Sequence, residues 1–357
     1  MRIQNLYLFI IAVILLCSLS CNNSSKENGR IQVDYDKKLV FIWEDNIRID
    51  TVIPLGNADS ISLGFTNKCF ITDEFIIYYD QTQDCVFAFD HSGQLQYKID
   101  DRGMGDKEYI NIKDICLSYD KENILVLDNS SVLAYNIKNG LLEDRIYLSP
   151  DLCSNFYMFI NPHRDQFIFW TTDKDISLYA YDGQNYKVIQ ERDGFYFVSQ
   201  KFYEFPTDEY NLIADYGRFK ISSLKDNAIV PKYEFDFGKY NFPERLIPEN
   251  NQEFNIAEDA PYFRSILKAF EVDDCLYMNT LSPDGGLYNI IYDKNKHRIT
   301  SGIQDSKSPF TIVSTYQQWF VGIIYPAYFS DESVFNKYID KTQEDKENPI
   351  IVLLKFK

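Results

Sequence analysis

The chain has 357 residues, 45% of them apolar, so it can bury a large core and is too polar to cross a membrane many times. Its formal charge of −17 repels phosphate backbones and excludes nucleic acid as a natural partner. With 27 Tyr, 27 Phe and only 15 Gly, the composition favours strands over disorder.

In chain order, Arg2 precedes a continuous apolar run, 6–16, followed by Cys17-Ser-Leu-Ser-Cys21 and a polar stretch, 22–29. The run is too short for a spanning helix and has the charged, apolar and small-residue parts of a secretory leader. Its ending, Ser18-Leu19-Ser20-Cys21, resembles a bacterial lipobox. That resemblance implies a signal peptide over 1–20, cleavage before Cys21, lipidation of the Cys21 thiol and a polar tether over 21–30. Two or three acyl chains, at about 0.8 kcal/mol per buried CH₂, would make such an anchor permanent. Asn22 in the next position implies sorting to the outer membrane, facing either the periplasm or the exterior.

From residue 31 onward the pattern is strand and turn. An alternating stretch at 47–53 reads as a strand standing apart from its neighbours. The next unit has apolar runs at 75–79, 85–90 and 94–99, a His91-Ser-Gly93 turn and a glycine-containing loop at 101–106. A second unit runs over 115–119, 124–128, 132–135 and 143–148, separated by Asn- and Gly-bearing turns. A third covers 156–160, 166–170, 176–181 and 186–189. The fourth covers 202–205, 210–214, 218–224 and 232–237, and is followed by a polar connection, 239–261, with room for a short helix. The fifth covers 265–272, 275–278, 286–293 and 297–303. The sixth has 310–315, 318–324 and 350–356, interrupted by a charged segment at 327–348 whose spacing predicts a helical insertion.

Six units of about 35 to 45 residues, each of three or four strands, predict an all-β, six-bladed propeller over 31–357. The sixth unit is one strand short and the strand at 47–53 has no sheet of its own. Closing the ring with that N-terminal strand solves both problems and removes two exposed edges. Tandem β-sandwiches are the alternative, and they need no orphan strand at either end.

The stretch Asp101-Arg-Gly-Met-Gly-Asp-Lys-Glu-Tyr109, after Phe89-Asp-His-Ser-Gly93, resembles a family of lipid-anchored six-bladed propellers related to NHL and TolB-type repeats of Gram-negative gut bacteria. Pro231-Lys-Tyr-Glu-Phe-Asp-Phe-Gly238, leading to Pro243, and the terminal Asn348-Pro-Ile-Ile-Val-Leu-Leu-Lys-Phe356 match it as well. The resemblance covers roughly residues 30–357 and implies the fold; it implies no activity.

Chemistry is sparse. Gly103 and Gly105 permit close approach, and Arg102, Asp106, Glu108 and Tyr109 gather ligand-capable groups beside them on a blade-to-blade crossing. These four are the candidate ligand-binding residues. The loop lacks the ending of a P-loop. His91, His163 and His297 fall in turns of different blades, so no metal site is assigned. Asp80, Asp84, Asp128, Asp173 and Asp175 offer oxygen ligands for a channel-bound calcium or similar cation without EF-hand spacing, and no cofactor is assigned. Nucleophile motifs are absent and no catalytic residue is assigned. Cys69, Cys85, Cys116, Cys153 and Cys275 sit in apolar runs and read as buried, inert thiols. The sequence thus leads to an envelope lipoprotein that binds a protein or carbohydrate partner without catalysis. Its rivals are a cation-dependent hydrolase or lyase with its site in the channel, and a structural subunit of an envelope complex.

Overall fold

The computed structural model describes residues 30–36, 39–56, 61–192, 201–204, 210–225, 227–249, 251–305, 310–326, 335 and 348–357. The leader, Cys21 and the tether up to residue 29 lie outside them, as does nearly all of the expected insertion at 327–348. Six sheets of four or five strands form the six blades of a β-propeller.

Blade 1 holds Cys69–Ile71, Ile76–Asp80, Cys85–Phe89 and Leu95–Ile99. Blade 2 holds Asp114–Leu117, Asn123–Leu127, Ser131–Asn136 and Leu142–Tyr147. Blade 3 holds Phe156–His163, Gln166–Thr171, Ile176–Tyr181 and Tyr186–Glu191. Blade 4 holds Phe202–Glu204, Tyr210–Ile213, Lys220–Lys225 and Ala228–Asp236. Blade 5 holds Ile266–Val272, Cys275–Leu281, Leu287–Asp293 and Arg298–Gln304. In blade 6, Thr311–Tyr316, Trp319–Ile324 and Ile350–Phe356 are completed by Ile47–Pro54, paired antiparallel from Ile47 opposite Phe356 to Pro54 opposite Ile350. The expected closure is therefore present, and it leaves no blade short of a strand.

The sequence of each strand reports its depth. Second and third strands such as Ile76–Asp80 and Cys85–Phe89 are buried at every position, because neighbouring blades cover both faces. The outer strand Leu95–Ile99 alternates instead. Apolar clusters fill the wedges between successive blades: Tyr78, Phe87 and Ile351 between blades 1 and 6, Val126 and Tyr135 between 1 and 2, Phe159 and Phe169 between 2 and 3, and Trp170 and Leu212 between 3 and 4. The largest joins blades 4, 5 and 6.

Two features differ from the sequence expectation. Blade 1 has a fourth, innermost strand, Cys69–Ile71, too short to show a period. In addition, the segment before Ile47 is a strap. Ile31–Gln32 runs parallel to the outer strand of blade 4, and Val40–Phe41 runs parallel to that of blade 5. Gly302 makes the second pairing possible, since a Cβ there would stand 2.9 Å from the Phe41 nitrogen. Trp43, on a single helical turn (Trp43–Asn46), then buries its indole edge-on to Phe310 and Phe41, at 4.7 and 5.0 Å between ring centres. The connection 239–261 carries the helix Asn251–Glu258. Phe335 is buried and stacks on Phe310. The thiols of Cys69, Cys85, Cys116 and Cys153 are buried and Cys275 is half-buried, and none forms a disulfide among the described residues. Burial pushes those of Cys69, Cys85 and Cys275 up to about 12, which keeps them protonated and inert.

Candidate ligand-binding site

The loop at 101–109 lies on the crossing from blade 1 to blade 2, and its functional groups are directed into itself. Glu108 accepts a hydrogen bond from the Gly105 N–H at 2.8 Å, and a Cβ on Gly103 would sit 1.8 Å from the same carboxylate oxygen. The Gly103 N–H donates to the Tyr109 carbonyl and the Tyr109 N–H to that of Asp101. Tyr109 is wholly buried and its hydroxyl donates to the Asp84 carbonyl at 2.9 Å. Burial holds that phenol far above its ordinary range. Arg102 donates to the Gln83 carbonyl at 2.7 Å and pairs with the Asp84 carboxylate at 3.2 Å. From blade 2, Arg145 donates to the carbonyls of Asp106 and Glu108 at 3.0 and 3.1 Å, and pairs with the buried Asp128 at 3.5 Å. Of the four expected ligand residues, Arg102, Glu108 and Tyr109 hold the crossing together, while Asp106 has an exposed side chain.

Four of the five carboxylates considered for a cation serve the backbone, and the fifth, Asp175, is exposed and lies 3.8 Å from the Lys174 ammonium. Asp80 accepts from the N–H groups of Gly64, Thr82 and Gln83, Asp84 from Ile112, Asp128 from Ile110 and Asn111, and Asp173 from Asp175 and Ile176. Each ties a turn to the end of a strand. Among the described residues no group of three or more His, Cys, Asp and Glu stands close enough to hold a metal ion. His91 and His297 lie in exposed turns of blades 1 and 5, whereas His163, expected in a turn, is the exposed last residue of the first strand of blade 3.

A cavity of about 520 Å³ opens elsewhere, at the other end of the innermost strands, where each turns back into its blade. Every blade supplies at least one apolar wall residue from its innermost strand, namely Ile71, Leu117, Ile160, Phe202, Phe270 and Val313, and Cys69, Phe70, Cys116, Ser314 and Thr315 of the same strands border the space as well. The first six are all buried. Lys68 also borders it, donating to Asp114 at 2.6 Å and to the Ile115 carbonyl at 2.9 Å, while Asp114 accepts from the Phe159 N–H at 3.1 Å. This buried pair pins blades 1, 2 and 3 around the axis. Burial pushes the Asp114 carboxyl up against the opposing pull of Lys68. A related tie joins blades 5 and 6, where Lys268 donates to the Thr311 hydroxyl at 2.9 Å and the Ile312 carbonyl at 3.2 Å. Burial lowers its ammonium to about 8.

The rim is polar and comes from the turns after the innermost strands. Asp73, Glu74, Asp120 and Glu122 face Lys121 and Lys138, all exposed. The Tyr316 hydroxyl donates to Asp73 at 3.3 Å across blades 6 and 1. Asp120 pairs with Arg164 at 3.4 Å. Ser314, also in the wall, has its hydroxyl buried without a hydrogen-bond partner among the described residues. From the sequence, the turns at 121–123 and 138–140 read as ordinary turn chemistry, and Asp73-Glu74 carries no assignment. The recoverable signal was that two of them follow a first strand of their unit and carry acidic residues, Asp73-Glu74 and Asp120-Lys121-Glu122. A second cavity, of about 560 Å³, lies off the axis between blades 5 and 6 and includes Cys275, Arg298 and Phe356 in its lining.

No curated protein matches this chain. Among solved structures it is similar to a Bacteroides fragilis protein whose name marks it as a candidate exported protein. That likeness has a TM-score of 0.72 at 15% identity and covers 92% of this chain and 99% of the other. It is also similar to a Bacteroides vulgatus member of the DUF4221 family, with a TM-score of 0.56 at 13% identity, over 87% of this chain and 99% of that one. At these identities the likeness establishes the fold alone. The sequence pattern of DUF4934, a domain of unknown function, matches residues 46–355, from the end of the strap through the closing strand. The chain belongs to the DUF4934 family.

Proposed function

We propose that this chain is an exported, envelope-anchored propeller that binds a ligand or protein partner without catalysis at the mouth of its central channel. The observation that carries the proposal is the cavity itself: six innermost strands each give at least one buried apolar side chain to a single space of about 520 Å³, within the size range of ligand pockets. Its rim carboxylates come from two turns, at 73–74 in blade 1 and at 120–122 in blade 2. The rival hydrolase or lyase needs oxygen ligands converging on a cation, and four of the five aspartates considered for that role are occupied by backbone N–H groups.

Export is supported by the leader at 1–20 and by the name of the Bacteroides fragilis relative. Attachment to the outer membrane through Cys21, and kinship with NHL and TolB-type propellers, belong to the same proposal. Mass spectrometry of the mature N-terminus tests the anchor: a diacylglyceryl Cys21 is expected, and an unmodified one rejects it. Binding is tested by screening the mature protein against arrays of short peptides and of oligosaccharides. One class is expected to bind the native protein and to be lost in Thr315→Trp, which narrows the mouth. Binding that ignores this substitution would place the site elsewhere.

A further inference from the structure

We infer that the channel mouth takes an extended polypeptide segment with an apolar anchor side chain between basic residues. This rests on the reading of the mouth as a binding site and assigns its ligand class. Six of the wall residues, Ile71, Leu117, Ile160, Phe202, Phe270 and Val313, carry no hydrogen-bonding side-chain atom, and Lys68, Ser314 and Thr315 stand beside them, so the deep part of the cavity rewards chiefly an aliphatic or aromatic group. A sugar ring placed there would leave most of its hydroxyls unpaired. The wall cation, Lys68, is already matched by Asp114 at 2.6 Å and is poorly available to an anion.

The rim reads the other end of the ligand. Four carboxylates stand against two ammonium groups on a chain of net charge −17. Asp120 is partly engaged by Arg164, whereas the side chains of Glu74 and Glu122 make no hydrogen bond or ion pair among the described residues. A fatty acid would bring its carboxylate to this rim, and an acidic peptide several; Lys and Arg side chains meet opposite charge there. Exposed ion pairs are individually weak, so the anchor supplies most of the affinity and the rim supplies selection by sign.

The test titrates the mature full-length protein with three acetylated, amidated pentapeptides, KKLKK, EELEE and KKSKK. KKLKK is expected to bind at least about tenfold more tightly than either of the others, and to weaken as salt is raised. Glu74→Lys combined with Glu122→Lys changes only exposed side chains and is expected to weaken KKLKK by about tenfold or more with an unchanged melting temperature. Equal binding of EELEE, equal binding of KKSKK, or indifference to the double substitution overturns the assignment. The neutral fluorophore N-phenyl-1-naphthylamine separates the two levels. If it binds the native protein and not Thr315→Trp while the peptides fail, the mouth is a binding site for another class, such as an oligosaccharide or an acyl chain. If neither probe binds, both proposals fall.

Discussion

The crossing loop at 101–109 and the channel mouth contain the same kinds of residue and use them in opposite ways. Both have carboxylates, cations and a tyrosine at sharp turns. At the crossing, Glu108 closes on Gly105, Arg145 gathers two carbonyls, and Tyr109 is buried beneath. At the mouth, Glu74 and Glu122 stay exposed above a wall to which every blade gives an apolar side chain. A motif rich in functional groups can thus be structural, while a site can be built from residues that form no motif. What separates the two is whether the groups are satisfied within the fold.

Substitutions can break this contrast. The largest effect is expected at Arg145→Met, which leaves the buried Asp128 without its counter-ion and frees the crossing carbonyls. Chemical denaturation should show a loss of about 3–5 kcal/mol, with peptide binding by the folded fraction unchanged. Gly103→Ala drives the Glu108 carboxylate off the Gly105 N–H and should cost about 1 kcal/mol by the same measurement. Equal stability to the native protein would mean that the loop is free to open, as a ligand loop would be.

Lys268 sharpens the contrast at the junction of blades 5 and 6. Its folded pKa of about 8 lies below the ordinary 10.5, so between these values the unfolded chain binds more protons. Stability contributed by this group therefore rises as pH increases through that window, on the order of 1–2 kcal/mol, and is absent in Lys268→Met. Melting curves of both proteins between pH 7 and pH 9.5, below the main tyrosine and lysine titrations, would detect it; parallel curves would show the ammonium to be well solvated. Tyr109→Phe removes one buried hydrogen bond and should cost about 1 kcal/mol. Glu74→Gln with Glu122→Gln should stay within about 0.5 kcal/mol of the native protein while weakening a basic peptide, and a larger loss of stability would assign these side chains a structural role.

The N-terminal strap has its own pH signature. Burial alone would raise the Asp236 carboxyl, but hydrogen bonds from Gln32, the Gly238 N–H and Asn241, with Arg30 nearby, hold it below the usual carboxylate range. A lowered carboxylate pKa gives stability that is present above the unfolded value and lost as pH falls through the folded one. Hydrogen exchange at Ile31 and Gln32 should therefore accelerate selectively in acid.

How much was legible depended on the range of the signal. Strands such as Ile76–Asp80 and Cys85–Phe89 announce themselves by five-residue apolar runs bounded by turns. Cys69–Ile71, Ile31–Gln32 and Val40–Phe41 are two or three residues long, shorter than one repeat of any pattern, and exist because a sheet edge was waiting for them. The Gly103 loop was visible as a motif, but its role was not, because its partners Asp84 and Arg145 come from other turns and another blade.

By itself, the sequence determined the succession of strands, the six units and the need for Ile47–Pro54 to finish the last of them. Those follow from local alternation and from the cost of an unpaired edge, both carried by contiguous residues. Only the tertiary structure decided where a ligand could sit. The apolar part of the wall includes one residue from every blade, spread between positions 71 and 313, and each is an ordinary apolar strand residue until the ring closes and brings them to one axis.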